Sequence, residues 1–326
     1  MLNPDAKLSE KIFTDAIDKA PTRDGFGKGV VEAGKKDERV VVFSADLAES
    51  VRADWFKKEF PERFVEVGVA EQNLATVAAG MANYGKIPFI TSYAAFSPGR
   101  NYEQIRTTIA LNDVPVKVCG MHAGVSVGPD GATHQMLEDV ALMRALPNMT
   151  VIVPADAEEG RKATLAAAFT GKPCYLRFGR DKVNTFTTPE TPFEIGKAYY
   201  LWKTEKPKVA LIGCGHLVYD ALVAAQKLEE EGIQVSVINS HTVKPLDGDT
   251  ILAAAKEAGA VITVEEHQAS GGLGGAVAEF LAKNHPVPMR FIGVQDRFGQ
   301  SGEPKELFKE YGLTTDDIVA AVRSLV

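Results

Sequence analysis

From residue 22 to about 180, short runs of β-branched and aromatic residues alternate with longer stretches whose apolar positions fall three and four apart. The runs are VVVFSADL (40–47), FVEVG (64–68), KIPFITSY (86–93), PVKVCGM (115–121), TVIVPA (150–155) and CYLRFG (174–179). Between them EQNLATVAAGMANYG, NYEQIRTTIALND, HQMLEDVALMRAL and DAEEGRKATLAAAF carry the helical period. Such alternation specifies a mostly parallel sheet with helices on both faces. The segment VNTFTTPETPFEIG (183–196) interrupts it with Thr, Pro and Glu, as a linker does. The pattern then restarts on a smaller scale, with KVALIGCG, IQVSVINS, AVITVEEH and MRFIGV as strands and LVYDALVAAQKLEEEG, DTILAAAKEAG and GGAVAEFLAKN as helices. The expectation is an α/β protein of two doubly wound domains, residues 1–190 and 206–326, joined through 191–205, each burying its own core.

Length supports two domains, since 326 residues exceed the roughly 100 to 200 of a typical one. Lys plus Arg number 36 against 43 Asp plus Glu, and the net charge of -7 argues against a nucleic-acid partner while leaving room for a local basic pocket. No apolar run approaches the ~18 residues that cross a bilayer, and the N-terminal stretch mixes both charges, so the expectation is a cytoplasmic protein without a membrane partner. Cys119, Cys174 and Cys214 sit inside apolar runs, where thiols behave as small hydrophobes.

Several motifs invite chemistry. GVSVG (124–128) matches a nucleophile elbow that would present Ser126, but Pro129, Asp130 and Gly131 extend the loop before helical period begins near Thr133, whereas an elbow enters its helix at once. GCG (213–215) lacks the third glycine of a dinucleotide fingerprint, because position 218 is Val. GGLGG (271–275) opens a helix whose free amides can hold an anion. Glu71 starts a helix and shares the face of Leu74, Ala75 and Ala78, which aims a carboxylate at buried surface; complementing the helix dipole is the plainer alternative. GMHAGVSVGPDGATHQ (120–135) places His122, Asp130 and His134 on a glycine-rich loop leaving the carboxyl end of a strand, where ligands sit in open α/β sheets. These side chains suit acid–base work, hydrogen bonding or, with Cys119, a poorly spaced metal site; alternatively the loop is a solvated turn whose Thr133 caps the next helix.

Taken together, SADLAES, EVGVAEQN, SYAAF, GMHAGVSVGPDGATHQ, NMTVIVPAD and LRFGRD resemble, in content and order, the thiamine diphosphate enzyme transketolase, and most closely the C-terminal subunit of transketolases split into two chains. The resemblance covers residues 22 to 326. It implies a pyrimidine-binding domain followed by a smaller transketolase C-terminal domain, and reversible transfer of a two-carbon ketol unit from a ketose phosphate to an aldose. By the same resemblance Glu71 hydrogen-bonds N1′ of the cofactor's aminopyrimidine, Phe96 and Tyr93 wall that ring, His134 and Asp130 contact the donor sugar, and His122, Arg180, Arg23 and Ser50 bind its phosphate; Arg177 serves structure. Ala70 and Gln72 flank Glu71 as in the split subunits. No GDG followed by a downstream Asn occurs, and DGD at 247–249 is not that motif, so Mg2+ and the cofactor diphosphate fall to an N-terminal partner subunit in an α2β2 assembly. A 2-oxo-acid dehydrogenase β subunit, half of a deoxyxylulose-phosphate-type synthase and a noncatalytic scaffolding subunit are the alternatives.

Overall fold

The computed structural model describes residues 1–326, and every apolar run named above contains a strand. The first six are β1 (Val40–Ser44), β2 (Phe64–Glu66), β3 (Ile87–Tyr93), β4 (Lys117–Met121), β5 (Thr150–Ile152) and β6 (Cys174–Arg177). The second half holds β7 (Tyr199–Trp202), β8 (Val209–Gly213), β9 (Val235–Asn239), β10 (Thr242–Lys244), β11 (Val261–Gln268) and β12 (Met289–Val294). One sheet has the order β10-β5-β6-β4-β3-β1-β2, parallel except for β10, and the other the order β12-β11-β8-β9-β7, parallel except for β7. β1, β4, β8 and β9 are buried along their whole length, which explains their continuous apolar character.

Helices α1 (Thr22–Lys36), α2 (Ala53–Glu59), α3 (Glu71–Asn83), α4 (Asp139–Ala145) and α5 (Ala157–Ala168) cover the first sheet. α6 (Leu217–Glu230), α7 (Gly248–Ala258), α8 (Leu273–Asn284), α9 (Pro304–Glu310) and α10 (Thr315–Arg323) follow. No helix is long and apolar enough to cross a membrane. α1 lies backbone to backbone against α5, because a Cβ at Gly25 would meet Ala157 O at 2.0 Å and one at Gly29 would meet Arg161 O at 2.6 Å. That contact sets where the first turn of α1 delivers Arg23.

Three expectations change. The cores of the halves are not fully separate: one apolar cluster lies within the first half and one mostly within the second, but β10 crosses over to pair antiparallel with β5, and a third cluster runs from Val41 and Val118 to Ile212, Ile251 and Val277. Residues 199–202, inside the expected connector, form edge strand β7, where Leu201 and Trp202 are buried and Trp202 bridges to Leu2. The loop after β4 continues past Thr133, and α4 starts only at Asp139. The Gln135 amide holds the loop in place by donating to Val125 O, Gly128 O and Gln300 O at 3.0–3.2 Å, which removes the chain from helical geometry despite its apolar period.

Candidate active site

The loops that leave β1, β2, β3, β4 and β6 all emerge from carboxyl ends of parallel strands, and they carry every site residue assigned above except Tyr93, the last residue of β3, and Arg23, which α1 contributes. Glu71 is the first residue of α3 and is 1% exposed. Its Oε2 accepts a hydrogen bond from Arg100 Nη1 at 3.0 Å, while Oε1 is buried without a partner. Dipole complementation alone does not bury a carboxylate in this way. Asn101 Nδ2 donates to the Glu71 carbonyl at 2.9 Å and to Ser97 Oγ at 3.2 Å. Arg100 and Asn101 escaped the motif reading; the Pro98-Gly99 pair was the signal, because it marks a turn that folds the chain back toward α3.

Four rings cluster on the neighbouring segments, linked to this carboxylate through Arg100, whose guanidinium lies 5.2 Å from the centroid of the Phe96 ring. Tyr93 stacks on His122 with centroids 4.1 Å apart and lies 5.9 Å from Phe96, nearly parallel to it. His134 presents an edge to Phe96 at 5.4 Å and contacts Thr133 Oγ1 through Nδ1 at 2.9 Å, so Thr133 orients the histidine instead of capping a helix.

A cationic wall follows. Arg23 Nη1 lies 2.6 Å from His122 Nε2 and donates to the Ser50 carbonyl at 2.7 Å, so Ser50 enters the site through its backbone. Arg180 Nη1 donates to Val127 O at 3.0 Å and faces Asp130 Oδ2 at 3.5 Å. Arg52, which no motif signalled, donates through Nε to Asp24 Oδ1 at 2.6 Å. Burial, then the charges of Arg23 and Arg180, push the His122 pKa down to about 3. Burial and the Arg52 charge likewise lower Arg23, with Asp24 opposing them. Three guanidiniums around a neutral imidazole suit the anionic end of a small molecule.

The other motifs resolve internally. Ser126 is buried on a 3-10 segment, Val125–Asp130, and its amide donates to Glu266 Oε1 at 2.6 Å, which is not elbow geometry. The amides of Leu273 and Gly274 donate to Glu265 at 2.8 and 2.7 Å, so the anion at that helix N-terminus is a side chain of the same domain. Within GCG, the Gly215 amide donates to Val153 O at 3.1 Å. Arg177 is buried against Asp139 at 2.8 Å beneath the β4 loop.

The buried, unpartnered Oε1 of Glu71, with the near-parallel Tyr93 and Phe96 rings on the segment that also carries its Arg100 partner, fits an aminopyrimidine, which offers a ring nitrogen and a flat apolar surface. A magnesium ion fits less well: no group of three or more His, Cys, Asp and Glu side chains is placed to hold a metal.

Comparison with known proteins agrees with this layout. Residues 18–185 match the model of the transketolase pyrimidine-binding domain and 196–318 that of the transketolase C-terminal domain. A protein of Methanocaldococcus jannaschii named for a transketolase C-terminal section is 43% identical over 92% of this chain and 94% of its own length. The 6-deoxy-6-sulfo-D-fructose transketolase subunit of Clostridium sp. strain MSTE9 is 38% identical over 93% and 94%. A solved split-gene transketolase, described as an inactive β4 tetramer, superposes with a TM-score of 0.87 at 44% identity, covering 94% of this chain and 98% of that one. Against longer curated transketolases, the chain spans about half their length. This chain belongs to the transketolase family of transferases, with a pyrimidine-binding domain followed by a transketolase C-terminal domain.

Proposed function

We propose that this chain is the C-terminal subunit of a two-chain transketolase, which moves a two-carbon ketol unit reversibly from a ketose phosphate to an aldose acceptor. Residues 1–190 act as the pyrimidine-binding domain, and 206–326, extended by edge strand β7 from the end of the 191–205 segment, act as the C-terminal domain. The observation that carries this reading is Glu71 Oε1, a buried acceptor with no partner, on a carboxylate held by Arg100 next to the Phe96 ring. Thiamine diphosphate, when bound, supplies the carbon nucleophile that side chains cannot. Glu71 Oε1 then shares a proton with N1′, and Tyr93 and Phe96 exclude water from the ring. His134 moves a proton at the donor's hydroxyl oxygens, and Asp130 accepts from the hydroxyl next to the carbonyl. Arg23, Arg180, His122 and the Ser50 segment hold the phosphate, each charge-assisted hydrogen bond contributing ~1.5 to 3 kcal/mol.

An N-terminal partner subunit provides Mg2+ and the diphosphate site, in a cytoplasmic α2β2 assembly. The relatives of matching length support this, since they are named as a section or a subunit. The test mixes the chain with that partner, thiamine diphosphate and Mg2+, and assays xylulose 5-phosphate with an aldose acceptor. Activity is expected from the pair and none from either chain alone. Full turnover by the 326-residue chain alone, or oxidative decarboxylation of pyruvate with reduction of an acceptor dye in place of ketol transfer, would overturn the proposal.

A further inference from the structure

We propose that Arg100 is the positioning residue for Glu71, fixing which carboxylate oxygen faces the cofactor. The inference rests on the reading that Glu71 meets the aminopyrimidine, and it deepens that reading. A carboxylate that is 1% exposed needs a counter-charge, and Arg100 Nη1 supplies it at Oε2 from 3.0 Å. Because the guanidinium stays charged at all working pH values, Oε2 remains occupied and Oε1 is the one oxygen left without a donor. Without the arginine, the carboxylate plane is free to rotate out of the orientation that leaves one oxygen open to the cofactor.

Arg100 is itself held. Its amide donates to Phe96 O at 2.9 Å, and its guanidinium lies 5.2 Å from the centroid of the Phe96 ring. Asn101, next in the chain, ties the same turn to the Glu71 backbone at 2.9 Å. A single turn after β3 therefore sets both the aromatic wall and the orientation of the carboxylate, so the two keep their relative geometry if the loop shifts. An ion pair between two exposed side chains contributes little, but here one partner is buried and has no other charge-assisted bond.

The test uses the chain assembled with its partner subunit and compares wild type, Arg100→Met, Arg100→Lys and Glu71→Gln. Two quantities are measured: cofactor affinity by fluorescence titration, and hydrogen–deuterium exchange at the thiazolium C2 by NMR at saturating cofactor. Arg100→Met is expected to slow exchange about tenfold or more while affinity changes less than about threefold. Arg100→Lys, which restores the charge without the planar fork, is expected to recover most of the loss. Wild-type exchange in Arg100→Met overturns the proposal. So does a loss confined to affinity, which would make Arg100 a cofactor-binding contact. If Glu71→Gln exchanges like wild type, the underlying assignment of Glu71 fails as well, and the two failures are told apart by which variant is silent.

Discussion

Nη1 of Arg23 lies 2.6 Å from Nε2 of His122, and because arginine can only donate, the imidazole accepts there and carries its proton on Nδ1. The same contact adds to burial in holding the histidine pKa down to about 3. His122 is therefore expected to remain the neutral Nδ1–H tautomer from about pH 5 to 8, a range in which an unperturbed histidine titrates. Its pKa is depressed on folding, so its contribution to stability is complete above the unfolded value of 6.5 and is lost as pH falls toward about 3. Nitrogen-15 NMR of the ring checks this: a titration midpoint near neutrality would show that the guanidiniums do not face it.

Arg180 has only one short contact to the protein, at Val127 O, and stands half-exposed opposite Asp130. Arg180→Ala is expected to raise the donor KM about tenfold with little change in kcat, as loss of a ground-state contact to phosphate should. A donor without phosphate should respond far less. Equal effects on both donors would place the anionic group elsewhere in the cleft.

Most strands were legible because buried parallel strands read as unbroken apolar runs, and Glu71 was legible because a carboxylate stood in an apolar helical face. β7 and β10 were not: each is short, an edge strand, and pairs with residues distant in the chain, so local pattern carried no information about them. His122 and His134 were visible through their glycine-rich loop, whereas Arg52 and Arg100 were not. Their roles arise from ion pairs to Asp24 and Glu71, 28 and 29 residues away, and no periodicity encodes a contact of that kind. Thr133 misled because capping preference is a local property, and Gln135 overrode it through two bonds within its own loop and one to Gln300 O, 165 residues further on.

Beneath the loop that follows β4, Asp139 Oδ2 accepts from Arg177 Nε at 2.8 Å and from Tyr175 OH at 2.6 Å, with the acid fully buried. Removing one partner leaves the other charge uncompensated in the interior, so Asp139→Ala is expected to cost about 3 to 5 kcal/mol. The double substitution Asp139→Leu with Arg177→Met removes both charges and should recover much of that loss. Urea denaturation of the three proteins decides the matter; if the double variant is no better than the single, the cost lies in packing and not in the orphaned guanidinium.

Glu159 joins the two halves of the molecule: Oε1 accepts from Asn239 Nδ2 at 2.7 Å and Oε2 from Ala155 N at 2.6 Å. Burial first, and then the neighbouring Asp156 carboxylate, raise its pKa from 4.5 to about 8. The native state thus binds a proton that the unfolded chain releases. The resulting stability is complete below about pH 4.5 and is lost as pH rises through about 8, at a slope of roughly 1.4 kcal/mol per pH unit in between. Glu159→Gln removes the titration but can retain the junction, since its amide oxygen replaces the acceptor for Ala155 N and its NH2 can donate to Asn239 Oδ1, which is buried without a partner. The variant is therefore expected to gain on wild type steadily as pH is raised between 5 and 8, read as the difference in unfolding free energy at each pH. A difference that stays constant across that window would mean that Glu159 is ionised in the folded protein and that its two hydrogen bonds outweigh its burial.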